Sequence, residues 1–348
     1  MYMKIKYILT TKQFFAEGPC GRVSHAKGFS EGLVENGFIV KVNSYGKAES
    51  FIKNNNILFL TAICFFSFFK EILISIFLKE KIVIRWRPML PFLFFPFLLF
   101  YKNIYFEVNS ITGLNSSNKL IQYFVRLSIF LTAKLSKIIV VSENSKKQIL
   151  SISRAKSIYV MPNGFSSEYL EFFEVKHENG EDVNFVYFGK KQDYYEWDAV
   201  YKFFKYHPDL KFHIFGFNED VSLENVIFYG PFNHEDLIHS LNNIVNPILI
   251  IHPDDSELAK SGSPMKLFEY AYLNIPMVVG DSLSHIDSNF NEFIYYKSGR
   301  YEDLEESLLK VAKNYELFFA KSQTLKNKVK ETYSWRSIIK KWIDNDFK

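Results

Sequence analysis

Short apolar runs rich in Val, Ile, Phe and Tyr alternate with amphipathic stretches along the chain. Such runs predict buried strands, and the stretches between them predict helices. In the first half, the helices are predicted over Ser24–Asn36, Lys119–Leu135 and Asn144–Ser151. The strands are predicted at Lys4–Leu9, Phe38–Val42, Ile57–Thr61, Lys81–Trp86, Ile104–Val108, Lys137–Val141 and Ser157–Met161. This alternation is typical of a doubly wound parallel α/β sheet.

The pattern breaks at Pro162-Asn-Gly164 and is followed by a polar, acidic segment, 166–182, which we interpret as a linker. A second α/β series then begins, with strands predicted at Asn184–Gly189, Lys211–Gly216, Val226–Tyr229, Ile248–His252 and Pro276–Val279. Near the end, Trp335, Ile338, Ile339 and Trp342 have helical spacing, so this helix needs a surface on which to dock. The sequence thus predicts domains over 1–165 and 183–330, followed by a helical segment over 331–348.

Two apolar segments resemble membrane spans. Ile57–Leu78 is long enough, but it contains Lys70 and Glu71, each of which costs about 2.5–3.5 kcal/mol near a bilayer centre. Leu90–Tyr101 is too short to span and contains two prolines, so it is either a core helix or an interfacial patch. Its basic neighbours Arg85, Arg87 and Lys102 suit an anionic membrane surface. We predict no secretory signal peptide.

Composition supports two domains and a charge division between them. The 348 residues are too many for one typical core, and Phe (37) and Tyr (21) must supply much of the packing. Residues 1–165 hold 22 Lys and Arg against eight Glu and no Asp, whereas the remainder holds 20 basic and 30 acidic residues. A basic first half suits anionic lipid headgroups or a polyphosphate, and no nucleic-acid-binding signature accompanies it, so we predict no nucleic-acid partner. The two cysteines fit a reducing compartment.

The segment Ser261-Gly-Ser-Pro-Met-Lys-Leu-Phe-Glu-Tyr270 carries the clearest chemistry. Ser263 is predicted to cap a helix, and Pro264 suits the first helical position. The amides of Met265 and Lys266 would then face an anion at the positive end of the helix dipole. Glu269 shares a face with Lys266, so the segment suits a nucleotide diphosphate, with the carboxylate on the ribose. The alternative is an ordinary capped amphipathic helix with a surface glutamate.

Several motifs in order resemble one family. The chain resembles the retaining GT-B glycosyltransferases of family 4, and the last motif is similar to that family's S-P-x-K-x-x-E-Y segment. The preceding motifs lie at residues 18–25, 140–147, 159–164, 185–190, 212–216 and 226–231. The resemblance implies two Rossmann-like domains facing each other across a cleft, with the last helix crossing back to the first domain. It further implies that the second domain binds a nucleotide-diphosphate sugar and the first binds the acceptor.

The resemblance also assigns roles to residues. Lys190, which follows a predicted strand and a glycine, matches the basic residue that contacts the diphosphate. Glu269 and Lys190, together with Asn109 after another strand, are the catalytic candidates. Donor-binding candidates are Gly189, Lys191, Gly216, Pro231, Ser261, Ser263, Pro264, Met265 and Lys266. Gly18, Gly21, Arg22 and His25 form the loop expected to face the donor, and Arg85, Arg87 and Glu107 are acceptor candidates.

Two positions depart from the family pattern. Ser261 stands where the family carries a sugar-contacting glutamate, so Ser261, Asp254, Asp255 or Glu257 could contact the sugar instead. A second family lysine would fall near Tyr195, and Lys191 could substitute for it. Adjacent rather than spaced aspartates at Asp254-Asp255 predict no essential metal, and no cofactor is expected.

The resemblance therefore implies a bacterial glycosyltransferase that extends a surface polysaccharide, such as O-antigen or capsule, with retention of configuration. The acceptor would be a saccharide carried on a lipid diphosphate. The protein is expected in the cytoplasm, peripherally at the inner face of the plasma membrane. Alternatives on the same fold are a nucleotide-sugar epimerase, a phosphorylase or a non-catalytic partner subunit.

Overall fold

The computed structural model describes residues 4–9, 21–43, 68–111, 113–180, 182–284 and 290–346. The chain divides into two compact units. The first unit comprises Met1–Pro162 with Trp335–Lys348, and the second unit comprises Asn163–Ser334. The first unit is therefore built from both ends of the chain.

The first unit contains a parallel sheet of six described strands in the order β2-β1-β3-β4-β5-β6. The strands are β1 (Lys4–Ile8), β2 (Ile39–Asn43), β3 (Lys81–Arg85), β4 (Ile104–Val108), β5 (Lys137–Val140) and β6 (Ile158–Val160). The helices are α1 (Gly21–Glu35), α2 (68–77), α3 (Leu90–Leu93), α4 (Phe95–Phe100), α5 (Lys119–Leu135), α6 (Glu143–Ile152) and α14 (Trp335–Asp346). The strand predicted at Ile57–Thr61 lies outside the described residues.

The second unit also contains a parallel sheet of six described strands, in the order β12-β11-β10-β7-β8-β9. Its strands are β7 (Asn184–Phe188), β8 (Lys211–Phe215), β9 (Val226–Gly230), β10 (Pro247–Ile251), β11 (Met277–Gly280) and β12 (Ile294–Tyr296). Its helices are α7 (Trp197–Tyr206), α8 (His234–Leu241), α9 (Glu257–Ser261), α10 (Met265–Tyr272), α11 (Tyr301–Lys313), α12 (Tyr315–Ser322) and α13 (Leu325–Tyr333). The predicted fold of two Rossmann-like units is confirmed.

Side-chain caps fix where several helices begin. The Asn118 side chain accepts from the amides of Leu120 and Ile121 at the start of α5. The Ser142 hydroxyl accepts from the Ser145 amide at the start of α6. These caps satisfy amides that have no partner within the helix. They therefore place the helix starts close to the sequence prediction.

The last helix, α14, packs on α1 within the first unit. Gly28 and Gly32 on α1 leave the space that this contact needs, since a Cβ at Gly28 would lie 2.0 Å from Trp335 Nε1. The Trp335 ring also meets the His25 ring edge-on at 4.9 Å. Trp342 is fully buried, with its ring 5.3 Å from that of Tyr105. The apolar face predicted for this helix is the face it buries, and the predicted return of the final helix to the first domain is confirmed.

The segment interpreted as a linker, 166–182, is packed against the second unit in the part that the structure describes. Leu170 and Phe173 are buried. The Glu174 amide donates to Asn242 Oδ1 at 3.1 Å, and Asn246 accepts from the Glu178 amide at 3.1 Å. Many polar residues of this segment are exposed, whereas Leu170 and Phe173 pack into the second unit.

Candidate functional site

The second sheet has a switch point between β7 and β10. These neighbouring strands connect onward in opposite directions, β7 to β8 and β10 to β11. In such sheets the strand ends diverge at this point and open a crevice where ligands bind. Gly189 follows β7 here, and His252 follows β10. The crevice is therefore the first place to look for a ligand site in this unit.

Two predicted donor-binding glycines meet at this crevice. Gly189 has φ of 137° and Gly216 has φ of 118°, which side chains rarely allow. A Cβ at Gly216 would lie 2.2 Å from the Gly189 carbonyl oxygen. The Gly189 amide donates to the Phe215 carbonyl at 2.9 Å. Pro231, the third predicted residue of this set, is exposed just beyond β9.

Lys266, on the first turn of α10, directs its ammonium into the same region. Its Nζ donates to the Tyr187 hydroxyl, and it lies 4.0 Å from the centroid of the Tyr187 ring and 5.0 Å from that of Tyr195. A Cβ at Gly189 would be only 2.6 Å from this Nζ. Burial lowers the pKa of Lys266 to about 7, although the charge of Glu269 opposes the shift.

Glu269 lies one turn further along α10. Burial raises the pKa of its carboxyl to about 7, against the opposing effects of the Lys266 charge and a hydrogen bond from the Tyr169 hydroxyl. Tyr169 is stacked on His234 with ring centroids 3.8 Å apart, which holds that hydroxyl in place. A lysine and a glutamate that each titrate near neutrality are typical of functional sites. Tyr169 was not predicted, because nothing in its local sequence marks it as a partner.

The start of α10 differs from the prediction. Pro264 is the N-cap residue rather than the first helical one, and no described side chain caps the helix, so the predicted Ser263 cap is wrong. The Ser263 hydroxyl instead accepts from the Asn163 amide at 3.0 Å. Met265 is the first helical residue, so its amide and that of Lys266 lack helical partners, as expected. Ser261 ends α9 and donates its hydroxyl hydrogen to the Glu257 carbonyl.

The two lysines after β7 have different surroundings. Lys190 is exposed, and its carbonyl accepts from the Tyr187 hydroxyl at 2.7 Å. Lys191 forms an ion pair with Glu219, which also accepts from the Tyr201 hydroxyl at 2.7 Å. The Lys191 charge is thus balanced within the protein, whereas the Lys190 side chain extends into solvent.

His252 is a site residue that the sequence analysis missed. It is completely buried, and neither ring nitrogen has a hydrogen-bond partner among the residues that the structure describes. Its ring meets that of Trp197 edge-on at 4.3 Å. Burial, assisted by the charge of Lys266, holds the pKa of His252 well below its usual range, so the ring is neutral at pH 7. The only sequence signal was a histidine directly after a wholly apolar strand.

The first unit brings the predicted residues Glu107, His25 and Arg85 together near the carboxyl ends of its strands. Glu107 is buried, with one oxygen paired with His25 and the other accepting from the Tyr7 hydroxyl at 2.6 Å. Burial alone would raise the pKa of Glu107, but the charges of His25 and Arg85 and the Tyr7 hydrogen bond lower it well below its usual range. Glu107 and His25 therefore bind each other in this structure.

The other candidates of the first unit lie around this cluster or outside the described part. Asn109 follows β4, and its Oδ1 is buried with no hydrogen-bond partner in the described part of the chain. Arg87 is exposed two residues beyond Arg85. Gly21 begins α1. Gly18 and the Arg22 side chain lie outside the described residues.

A large apolar surface covers α2, α4 and α5 of the first unit. Phe69 on α2 packs on Phe97 of α4 at 5.0 Å, and Phe92 on α3 stacks on Phe124 of α5 at 4.9 Å. Its exposed residues are Leu73, Ile74, Phe77, Phe95, Leu99, Phe100, Leu120, Ile121, Tyr123, Phe124, Leu127 and Phe130. We call these residues the apolar surface. None of the described helices is long and apolar enough to cross a membrane.

Solved structures with the same fold cover nearly the whole chain. Sucrose-phosphate synthase from Thermosynechococcus elongatus is 12% identical, with 98% of each chain covered and a TM-score of 0.73. The Anabaena protein HepE, solved in complex with UDP-glucose, is 12% identical, with 99% of each chain covered and a TM-score of 0.68. WaaG, a glycosyltransferase involved in lipopolysaccharide biosynthesis, is 13% identical, with 98% of each chain covered and a TM-score of 0.62. These likenesses establish the GT-B fold.

Comparisons of the sequence itself give no match. No family model matches the chain, and no curated protein matches it.

Proposed function

We propose that this protein is a retaining glycosyltransferase that uses a nucleotide-diphosphate sugar as its donor. The observation that carries the proposal is the pairing of Lys266 and Glu269 on one face of α10, beside the contact of Gly189 with Gly216. Glycine backbone allows phosphates to approach closely, and a helix start with a lysine offsets their charge. HepE, which shares this fold, was solved with UDP-glucose.

The proposed chemistry follows from charge. Breaking the bond between sugar and diphosphate leaves negative charge on the leaving phosphate. Lys190 and the amides of Met265 and Lys266 would stabilise that charge, and removing one such donor costs about 10²–10³ in rate. Glu269 would accept hydrogen bonds from the ribose hydroxyls. The leaving phosphate would help to deprotonate the acceptor hydroxyl, and no bound metal or other cofactor is needed in this scheme.

For the acceptor, we propose a saccharide carried on a lipid diphosphate and bound by the first unit, in the synthesis of a bacterial surface polysaccharide. Asn109, with its unpartnered buried oxygen, supports a polar ligand at the carboxyl end of β4. Arg85 and Arg87 would offset an anionic group on that ligand. WaaG, a neighbour in fold, is described as acting in lipopolysaccharide biosynthesis.

Peripheral contact of the first unit with the inner face of the plasma membrane is part of the same proposal. The support is the apolar surface, together with the exposed cations Lys119, Arg126 and Lys134 on α5, a helix that contains no acidic residue. Exposed apolar patches of this extent mark interaction sites, and basic residues near them favour anionic lipids. Substituting Phe100 and Leu120 by glutamate is expected to weaken sedimentation with anionic vesicles at least tenfold. Unchanged sedimentation would contradict the membrane proposal.

The activity is tested with Lys190→Ala and Glu269→Ala, assayed against a panel of nucleotide sugars with a saccharide acceptor. We expect each variant to lose about 10²-fold or more in turnover. Lys205→Ala and Glu302→Ala, on exposed faces of α7 and α11, are matched controls that should retain activity. NMR of the product reports its anomeric configuration. Turnover like that of the unmodified protein in both site variants would refute the site assignment.

The same assay distinguishes the alternatives on this fold. An epimerase would interconvert nucleotide sugars without an acceptor, and a phosphorylase would require free phosphate. A non-catalytic subunit would show no turnover under any of these conditions.

A further inference from the structure

The candidate donor site contains a cation with an unusual environment. A diphosphate carries at least two negative charges, which need nearby positive charge in a partly buried crevice. Lys191 already pairs with Glu219, and the Lys190 side chain extends into solvent. Lys266 is the described lysine whose ammonium lies directly over Gly189, at the switch point. Its ammonium therefore lies beside any phosphate that approaches the Gly189 backbone.

The Tyr187 hydroxyl holds this ammonium in place. It accepts from Lys266 Nζ and donates to the carbonyl of Lys190 at 2.7 Å. Tyr187 is fully buried in β7, so its hydroxyl is fixed by the sheet. One oxygen atom thus ties the lysine of α10 to the loop that follows β7.

We propose that the Lys266 side chain is a diphosphate-binding group, positioned by Tyr187, and that it takes up a proton when the donor binds. This inference rests on the proposed function, because it assumes a nucleotide diphosphate at this site. It assigns to the side chain a role beyond that of the helix amides, and to Tyr187 a role as a positioning residue.

The charges around Lys266 explain why a proton would be taken up. Tyr187 and Tyr195 face it with neutral aromatic rings, and His252, directly after β10, is neutral. Glu269, on the same helix, is the carboxylate that acts on it, and burial has raised the pKa of Glu269 too. With the pKa of Lys266 lowered to about 7, much of its side chain is neutral at slightly alkaline pH. A bound diphosphate favours the charged form, so binding draws a proton from the buffer.

The test is calorimetric titration of UDP, GDP and ADP into the full chain at pH 7.5, in two buffers with different ionisation enthalpies. For the nucleotide that binds, we expect the binding enthalpies in the two buffers to differ. The difference should correspond to the uptake of more than about half a proton per nucleotide bound. Lys266→Arg should bind without this uptake, since an arginine is always charged. Lys266→Met should bind at least tenfold more weakly.

Three further variants make the result specific. Glu269→Gln removes the other group that titrates near neutrality and should leave the Lys266 uptake in place. Tyr187→Phe should weaken binding several-fold, because the ammonium loses its anchor. Lys205→Met, an exposed lysine on α7, should match the unmodified protein. Circular dichroism and thermal melting confirm that each variant is folded.

The outcomes separate the two proposals. If none of the nucleotides binds the unmodified protein at millimolar concentration, the proposed function fails and this inference fails with it. If one binds with equal heats in both buffers, or binds Lys266→Met as tightly as the unmodified protein, only the role of Lys266 is overturned. Buffer-dependent heat that persists in Lys266→Arg would also overturn it, since the proton would then go elsewhere.

Discussion

The buried contact between Glu107 and His25 should make the first unit sensitive to loss of the Glu107 charge. The two side chains are 1% and 3% exposed, and the second oxygen of Glu107 accepts from the Tyr7 hydroxyl. Glu107→Gln removes the charge while preserving the shape. It leaves His25 with a neutral neighbour. Breaking a buried ion pair of this kind costs about 3–5 kcal/mol, so we expect a loss of that size at pH 7.

The sign of the pH dependence follows from the lowered pKa of Glu107. A carboxyl whose pKa is lowered on folding contributes stability above its ordinary value of 4.5, and that contribution is lost as the pH falls below it. The difference in free energy of unfolding between Glu107→Gln and the unmodified protein should therefore have its largest value at pH 7. This difference should begin to decrease below about pH 4.5.

The four tryptophans of the chain allow each unit to be followed separately. Trp86, Trp335 and Trp342 belong to the first unit, and Trp197 belongs to the second. In a Trp197→Phe background, urea unfolding followed by fluorescence reports the first unit alone. Glu143→Gln is the matched control. Among the described residues this exposed glutamate forms an ion pair with Lys146 on the surface of α6, so the substitution should cost less than about 1 kcal/mol. Equal midpoints for the two variants would refute the reasoning.

Three further predictions concern the packing of both units. Gly216→Ala should destabilise the second unit by at least about 2 kcal/mol in urea unfolding, because its Cβ would lie 2.2 Å from a carbonyl oxygen at a φ of 118°. Burial, with a smaller effect of the Lys211 charge, lowers the pKa of His213 to about 4. The free energy of unfolding should therefore decrease as the pH falls from 6.5 towards 4. In His213→Phe this decrease should be smaller by roughly 3 kcal/mol. Gly28→Ala should push α14 off α1, because its Cβ would lie 2.0 Å from Trp335, and trypsin should then cleave within α14 much faster.

Matched variants accompany these three. Gly262→Ala adds a Cβ whose nearest neighbours are carbonyl oxygens at 3.5 Å or more. This substitution should therefore reduce the free energy of unfolding much less than Gly216→Ala does. His239→Phe changes an exposed histidine and should leave the pH profile unchanged. Lys27→Ala, on the exposed side of α1, should leave the proteolysis rate as it is. A variant that behaves like its control would contradict the corresponding prediction.

The described strands were largely predictable from sequence, because each is a short β-branched or aromatic run between polar turns. Ile104–Val108 and the helix Lys119–Leu135 are found at the predicted bounds. β12 was missed, since Ile294–Tyr296 is only three residues long and shows no clear periodicity. Edge strands of this kind are defined by their pairing with a neighbour, here β11, more than by their own composition.

The candidate site was predictable only where its chemistry is local. Lys266 and Glu269 stand out because their spacing along one helix is visible in the sequence. The Ser263 cap failed because Asn163, a hundred residues earlier, competes for the hydroxyl. Tyr169 and His252 acquire their importance from burial and from partners far along the chain. Local pattern carries no information about either.

The first unit is assembled from residues at both ends of the chain, and this has a consequence for biosynthesis. A ribosome releases β1 to β6 first, but α14 emerges only after all of residues 163–334 have been made. At about 5–20 residues per second, the groove of α1 that receives Trp335 stays uncovered for roughly 10–30 s. During that interval Phe29 and Tyr105, which contact Trp342 in the finished fold, lack that cover. The first unit thus begins to form early but gains α14 only after residues 163–334 have been made.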